Sequence, residues 1–288
     1  MATLRDIQLR MQSIQNTKQI TKAMKMVSAS KMRKAEENIT RSRPYSEKLK
    51  EIISHLSNGI DMNAHPLLMK REGGKAIVLL ITTDRGLCGG LNVSLCKKVN
   101  AFIPDPTNKF ELVELIAFGK KGNEFFKNRG GNIVETHRDL NESEMAEALQ
   151  QTVRDLIEKY IAGEFNHLYL AYNQFNNVVS QTPKIKQVLP IEPPGSDDLN
   201  PEENSQFIFE PSSLGILKAI LPRYVENQAF TALLDNIASE HAARMTAMDS
   251  ATNNATDMLE RLQIQYNRAR QAEITSELIE IISGAEAI

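Results

Sequence analysis

Apolar residues recur along both ends of the chain at alternating spacings of three and four, the rhythm of a helix that presents one stripe to a partner. Near the C-terminus Met245, Met248, Thr252, Ala255, Leu259, Leu262, Tyr266 and Ala269 form such a stripe, which slips by one position and resumes as Ile274, Leu278, Ile281 and Ala285. The slip predicts a local rotation of the stripe rather than an end to the helix. Leu4, Ile7, Met11 and Ile14 begin the same rhythm at the N-terminus, but its continuation reaches Lys18, Thr21, Lys25 and Ser28. Apolar groups return off register as Ile20, Ala23, Met24 and Val27, so residues 18–28 are expected to face something other than one constant partner helix.

The distribution of helix breakers agrees. Residues 1–58 contain no Gly and only Pro44, and the 61 residues 223–283 contain neither Gly nor Pro. At a rise of about 1.5 Å per residue the second run alone would extend roughly 90 Å, far beyond a small domain. Two end helices joined through a central domain must pair antiparallel if they pair within one chain. The alternative is that each folds separately onto the central domain.

Between them, residues 75–191 alternate strand-like and helix-like stretches. Strands are expected at Ala76–Thr82, Glu114–Phe118, Ile133–Thr136, His167–Tyr172, extending through Val179, and Lys184–Pro190. Helices are expected at Asn92–Ile103, Lys120–Asn128 and Glu142–Ile161. Such alternation predicts a mostly parallel, Rossmann-like sheet with helices packed on it. The expected organisation is therefore α/β: an N-terminal coiled-coil helix (1–58), a central α/β domain (70–192), a polar loop and connector (193–210) and a C-terminal coiled-coil helix (211–288).

Charge separates the two ends. Residues 1–50 carry twelve basic and four acidic side chains, a net +8, whereas residues 223–288 carry five and ten, a net −5. Opposite signs favour pairing, and the surplus positive field should point outward. A solvated charged face is the plainer explanation of such a run. Nucleic-acid binding fits poorly, because the whole chain is slightly acidic and no aromatic residue precedes Tyr45 to stack on bases. No run of about 18 apolar residues could span a bilayer, and Met-Ala-Thr-Leu-Arg-Asp lacks a signal core. The simplest reading is residence in a bacterial-type cytoplasm without membrane insertion.

Enzymatic chemistry finds little support. The segment Thr83-Asp84-Arg85-Gly86-Leu87-Cys88-Gly89-Gly90-Leu91-Asn92 follows a strand and precedes a helix, where a phosphate could bind. It lacks the Gly-x-x-x-x-Gly-Lys-Ser/Thr cradle and the Gly-x-Gly-x-x-Gly fingerprint. A tight turn with Asn92 capping the helix accounts for it more simply. Cys88 would need a base such as His137 or His167 to act as a nucleophile. Glu277 and Glu280, three residues apart on a charged helix, read as solvated surface. Cys88 and Cys96 form no disulfide framework or metal cluster. No metal and no cofactor is expected.

Three separated stretches carry a resemblance. Residues Arg10-Met11-Gln12-Ser13-Ile14-Gln15-Asn16-Thr17-Lys18-Gln19-Ile20-Thr21-Lys22-Ala23-Met24-Lys25-Met26-Val27, the turn Thr83–Asn92, and Ile274-Thr275-Ser276-Glu277-Leu278-Ile279-Glu280-Ile281-Ile282-Ser283-Gly284-Ala285-Glu286-Ala287 resemble, in order, the N-terminal helix, central turn and C-terminus of rotary ATP synthase gamma subunits. The resemblance implies a non-catalytic central shaft, one copy per complex, that couples rotation of a membrane ring to catalysis in a hexamer of alpha and beta subunits. It also implies contacts with an epsilon subunit and the c-ring, at the cytoplasmic face of a bacterial plasma membrane. Met24, Lys25, Arg244, Gln271, Thr275 and Glu277 fall on positions of coupling contact with alpha and beta subunits. Phe207, Phe209 and Glu210 fall on ring contacts, and Asp84, Arg85, Gly86, Cys88 and Gly89 on the family turn. Many members carry Tyr at the two aromatic positions, so a hydroxyl is missing here. Pro222 is a further departure, expected to start, end or kink a helix. The thiol-bearing insertion of redox-switched chloroplast members is absent. A freestanding coiled-coil adaptor and a nucleotide-binding α/β protein are the alternatives.

Overall fold

A computed structural model describes residues 3–57, 65–71, 73–105, 110–192 and 213–286. The elements run α1 (Leu4–Ser57), β1 (Lys75–Ile81), α2 (Leu91–Phe102), β2 (Leu112–Phe118), α3 (Lys120–Lys127), β3 (Ile133–His137), α4 (Glu142–Ala162), β4 (His167–Phe175), β5 (Gln181–Leu189) and α5 (Ser213–Glu286). Two compact units result: Met1–Ser30 with Arg244–Ile288, and Lys31–Ala243. The described architecture is mixed α/β with long terminal helices, as the residue pattern predicts.

In the unit Lys31–Ala243, five strands form one sheet in the order β3-β2-β1-β4-β5. β1 pairs parallel with β2 and β4, β2 parallel with β3, and β4 antiparallel with β5. β1, at the centre of the sheet, is buried on both faces, which is why it reads as a continuous apolar run. Its alternate residues Ile77, Leu79 and Ile81 face α4, Ile53 and Leu56 of α1, and Leu217, Leu221 and Val225 of α5. Val78 and Leu80 belong to the opposite layer with Leu95, Cys96 and Val99 of α2 and Phe126 of α3. The inner stretches of the terminal helices therefore do pack on the central sheet.

Local chemistry sets the boundaries of α4. The Asn141 side chain accepts from the amides of Ser143 and Glu144, and Glu144 reaches back to the Asn141 amide, satisfying donors that a helix start leaves orphaned. Gly163, at φ 85°, closes the helix in the left-handed conformation. Two expectations change here. β4 ends at Phe175 rather than reaching Val179, and β5 begins at Gln181, so that Asn177, accepting from the amides of Val179 and Ser180, turns the hairpin. Pro222 lies inside α5 and neither starts nor ends a helix.

In the unit Met1–Ser30 with Arg244–Ile288, the outer stretches of α1 and α5 pair antiparallel. Thr21 and Thr252 share a hydroxyl hydrogen bond of 2.8 Å, and Lys25 meets Asp249 at 2.6 Å. The expectation that the α1 stripe loses register at Lys18–Ser28 is corrected. Positions 4, 7, 11, 14, 18, 21, 25 and 28 are all the more covered ones, with Thr21 and Ser28 buried, while Ile20, Met26 and Val27 are 59%, 66% and 58% exposed. The stripe keeps its geometry and changes its chemistry, because facing hydroxyls and an ion pair satisfy each other where apolar side chains would otherwise interlock.

Carried from Thr21 opposite Thr252, the same antiparallel register sets Leu4 opposite Ala269. Beyond that point α1 offers no partner. The resumed stripe Ile274, Leu278 and Ile281 is accordingly 45%, 53% and 67% exposed.

Candidate functional site

The turn between β1 and α2 is a clasp between two strand-to-helix connections. Thr82 donates its hydroxyl to the carbonyl of Phe118 at 3.0 Å and accepts from the Gly122 amide at 2.9 Å. Asp84 Oδ1 accepts from the Lys120 amide at 2.8 Å, filling the N-terminus of α3 with a carboxylate of the chain's own. Gly119 makes the approach possible: at φ 95°, a Cβ there would lie 2.4 Å from the Thr82 carbonyl oxygen.

Asn92 plays a different part from the helix cap expected of it. It is the second residue of α2, which is capped at Gly90 without a side-chain bond. The Asn92 carboxamide is buried and accepts from the Thr83 amide at 3.1 Å while donating to the Thr83 hydroxyl at 2.8 Å and to Cys88 Sγ at 3.4 Å. Thr83 in turn donates to the Arg85 carbonyl at 2.6 Å. Gly89 takes a φ of 60° and is exposed, whereas Leu87 holds 62° with a β-carbon and is also exposed. The turn that brings Asp84, Arg85, Gly86, Cys88 and Gly89 together is thus held rigidly from within.

The proposed base and nucleophile are occupied elsewhere. His137 stacks on Phe118 with ring centroids 4.5 Å apart, and its Nε2 lies 2.9 Å from Glu135 and 3.3 Å from the Thr152 hydroxyl. His167 stands on β4 against Phe110, and burial pulls its pKa below the usual imidazole value. Cys88 is 2% exposed. Cys96 is buried in the sheet's second layer, and desolvation pushes its thiol up to about 12. Among the described residues no group of three or more His, Cys, Asp or Glu is placed to hold a metal ion, and no helix is long and apolar enough to cross a membrane.

The expected contact residues fall into three environments, all within the helix-pair unit. Met24 and Lys25 are half-buried on α1, with Lys25 engaged by Asp249. Arg244 is 8% exposed and so almost wholly buried. Gln271, Thr275 and Glu277 are exposed on the stretch of α5 that has no α1 neighbour, where Thr275 donates only to the Gln271 carbonyl of its own helix. Around them lie large apolar side chains with no cover: Ile20, Met26 and Val27 on α1, and Leu278, Ile279, Ile281 and Ile282 on α5. Thr252 and Asp249 complete the polar seam, and residue type alone did not single them out. Phe207, Phe209 and Glu210 lie outside the described residues.

Known proteins of the same pattern were found along the whole length. A protein-family model described as ATP synthase matches residues 3–288. The ATP synthase gamma chain of Geotalea uraniireducens is 44% identical over 288 residues, covering 100% of this chain and 99% of that protein. That of Geobacter metallireducens is 46% identical over 294 residues with the same coverage. Among solved structures, a chain of the Euglena gracilis mitochondrial ATP synthase, described as OSCP/F1/c-ring in rotational state 3, aligns over 99% of this chain and 94% of its own with a TM-score of 0.67 at 21% identity. A chain of the Tetrahymena thermophila mitochondrial ATP synthase, described as central stalk and c-ring, gives a TM-score of 0.57 at 24% identity, over 81% and 99%. At such identities these structures speak for the fold, and the function-bearing likeness is that of the bacterial relatives. A continuous match at nearly half identity over the whole length makes the chain a member of the ATP synthase gamma chain family.

Proposed function

We infer that the chain is the central rotor shaft of a rotary ATP synthase, coupling ion-driven rotation of a membrane ring to ATP synthesis in an alpha/beta hexamer, and hydrolysis to ion pumping in reverse. It performs no chemistry of its own. Its partners are the alpha and beta subunits, an epsilon subunit and the c-ring, and it sits with the assembly at the cytoplasmic side of a bacterial plasma membrane. The observation that carries this reading, beside family membership, is the stretch of α5 past Ala269, where the described large apolar side chains stand exposed with no covering neighbour among the described residues. Uncovered apolar surface of that extent needs a partner.

The mechanism is a coupling of binding equilibria. An asymmetric rod makes different contacts with each catalytic subunit, and the differences in contact free energy set which subunit is open and which is closed. Met24, Lys25, Gln271, Thr275 and Glu277 form those contacts, with Ile20, Met26 and Val27 beside them. Methionine suits a surface that meets changing neighbours, being unbranched and polarisable. Arg244, almost wholly buried on α5, stands among the same coupling positions. Phe207, Phe209 and Glu210 meet the ring.

Met24→Lys tests the reading. It adds a cation to an end of the chain already at net +8, and a contact change of about 1 kcal/mol corresponds to roughly a fivefold change in an equilibrium. The variant is expected to assemble with alpha and beta subunits and hydrolyse ATP while proton pumping per ATP falls. Unchanged ATP-driven pumping would overturn the assignment of this contact.

A further inference from the structure

A second surface lies at the edge of the sheet formed by β3, beside α3. β3 ends the sheet, so its outward backbone groups pair with no strand among the described residues. Beside it runs a groove of about 490 Å³ lined by Asn123 and Lys127 of α3, Gly131 of the following turn, Ile133 and Thr136 of β3, and Arg138.

The groove is shaped by an irregularity. Residues three apart on a regular strand point to opposite faces, yet Ile133 and Thr136 line the same groove. The pairing of β2 with β3 explains it: Leu115 sits opposite Ile133 and the next residue, Ile116, opposite Glu135, leaving Val134 as an extra residue. Such a bulge switches the alternation and re-aims the side chains that follow.

The two charged residues of the groove lining are both cations. Lys127 and Arg138 are exposed and make no ion pair among the described residues. Of the acidic groups nearby, Glu124 pairs with Lys121 at 2.8 Å and Glu135 lies 2.9 Å from His137 Nε2, while the exposed Asp139 follows Arg138 without an ion pair among the described residues. Two unpaired cations thus flank a strand edge whose hydrogen-bonding groups are open. A strand edge recognises an extended backbone, and flanking cations select for acidic side chains on it.

We propose that the β3 edge and the groove between Lys127 and Arg138 form a docking site for an acidic, extended segment of another subunit of the assembly, which adds to the sheet as a sixth strand. This rests on the rotor reading for the source of the segment. The site would hold that partner to the rotor without engaging the helix pair.

The test places p-benzoyl-L-phenylalanine at Asn123 of the full-length chain in the purified synthase and maps photo-cross-links by mass spectrometry. The expected product joins Asn123 to one acidic, non-helical segment of a single subunit. An exposed ion pair is worth roughly two- to fivefold, so reversing both charges with Lys127→Glu and Arg138→Glu should lower the yield at least about tenfold. Lys127→Arg with Arg138→Lys should preserve it. No cross-link, a cross-link to a helical or non-acidic segment, a yield indifferent to charge reversal, or loss of the product in millimolar inorganic phosphate, which marks a small-anion site, would each overturn the proposal. Co-purification with alpha and beta subunits is scored separately, and its failure bears on the rotor reading alone. A second arm needs no assembly: a synthetic octapeptide of alternating Val and Glu should protect β3 amides of the isolated chain from hydrogen exchange, an effect lost on charge reversal, and absence of protection counts against the site.

Discussion

Replacing Asn92 by Ala removes one carboxamide on which the family turn depends. The side chain accepts from the Thr83 amide at 3.1 Å and donates to the Thr83 hydroxyl at 2.8 Å, with a weaker contact to Cys88 Sγ at 3.4 Å. Thr83 is 2% exposed, so its amide would be left buried and unsatisfied without easy access to water. An orphaned buried donor costs about 1–3 kcal/mol, and loss of the hydroxyl bond adds about 1 kcal/mol. The sulfur contact is second-order. The clasp joins β1 to the β2–α3 connection through Thr82 and Asp84, so the loss of about 2–4 kcal/mol should be felt across the sheet. Hydrogen exchange measured by mass spectrometry on the full chain resolves where it falls. Amides of β1 and β2 are expected to exchange at least about 30-fold faster, the equivalent of 2 kcal/mol. Amides of residues 244–270, in the other unit, should be unchanged. An acceleration below about threefold in β1 would show that the turn's rigidity comes from its glycine geometry, and the account of Asn92 would fail. Equal acceleration in both units would refute the claim that the clasp acts locally.

Asp235 supplies a pH dependence. Burial raises its carboxyl to about 6, against the opposing pull of Lys184, Arg43 and Lys186, so the folded state binds this proton more tightly than the unfolded chain does. Its contribution to stability is therefore best below about pH 4 and is lost as pH rises through about 6. Asp235→Asn should raise the melting temperature at about pH 7.5, with the advantage shrinking toward pH 5; a difference that does not vary with pH refutes this. Removing residues 271–288 should shift the melting temperature of the isolated chain by less than about 1 °C, because the described residues 271–283 bury almost nothing in their own chain. A large loss on calorimetry would mean that the tail is covered by its own chain.

Much of the architecture was legible because it rests on local rules. A stretch of 61 residues without Gly or Pro becomes part of one helix, and a run such as Ala76–Ile81 becomes a buried strand because no polar alternation gives it a wet face. The capping box at Asn141 and Glu144 follows from side chains that reach amides two and three residues away. These interactions close within a few positions, so the order of residues carries them. The three motifs that disclosed the family are likewise contiguous.

Other features depend on residues far apart in sequence that the fold makes neighbours. Lys18, Thr21, Lys25 and Ser28 read as a broken stripe until Thr252 and Asp249, more than 220 positions away, stand opposite Thr21 and Lys25 and satisfy those two. Asn92 looked like a cap, because only the return of the chain at Thr83 shows what else its carboxamide could bind. Whether Ile274 and Leu278 are covered depended on where α1 begins relative to α5 in the antiparallel register, a three-dimensional offset that periodicity does not encode. The β3 groove depended on one extra residue at Val134, visible only once β2 lies beside it. Sequence by itself determined the helices, the strands and the apolar faces they must bury. Tertiary structure decided which polar groups neutralise one another and which apolar groups stay exposed, because those outcomes are set by pairings across space that a one-dimensional pattern cannot rank.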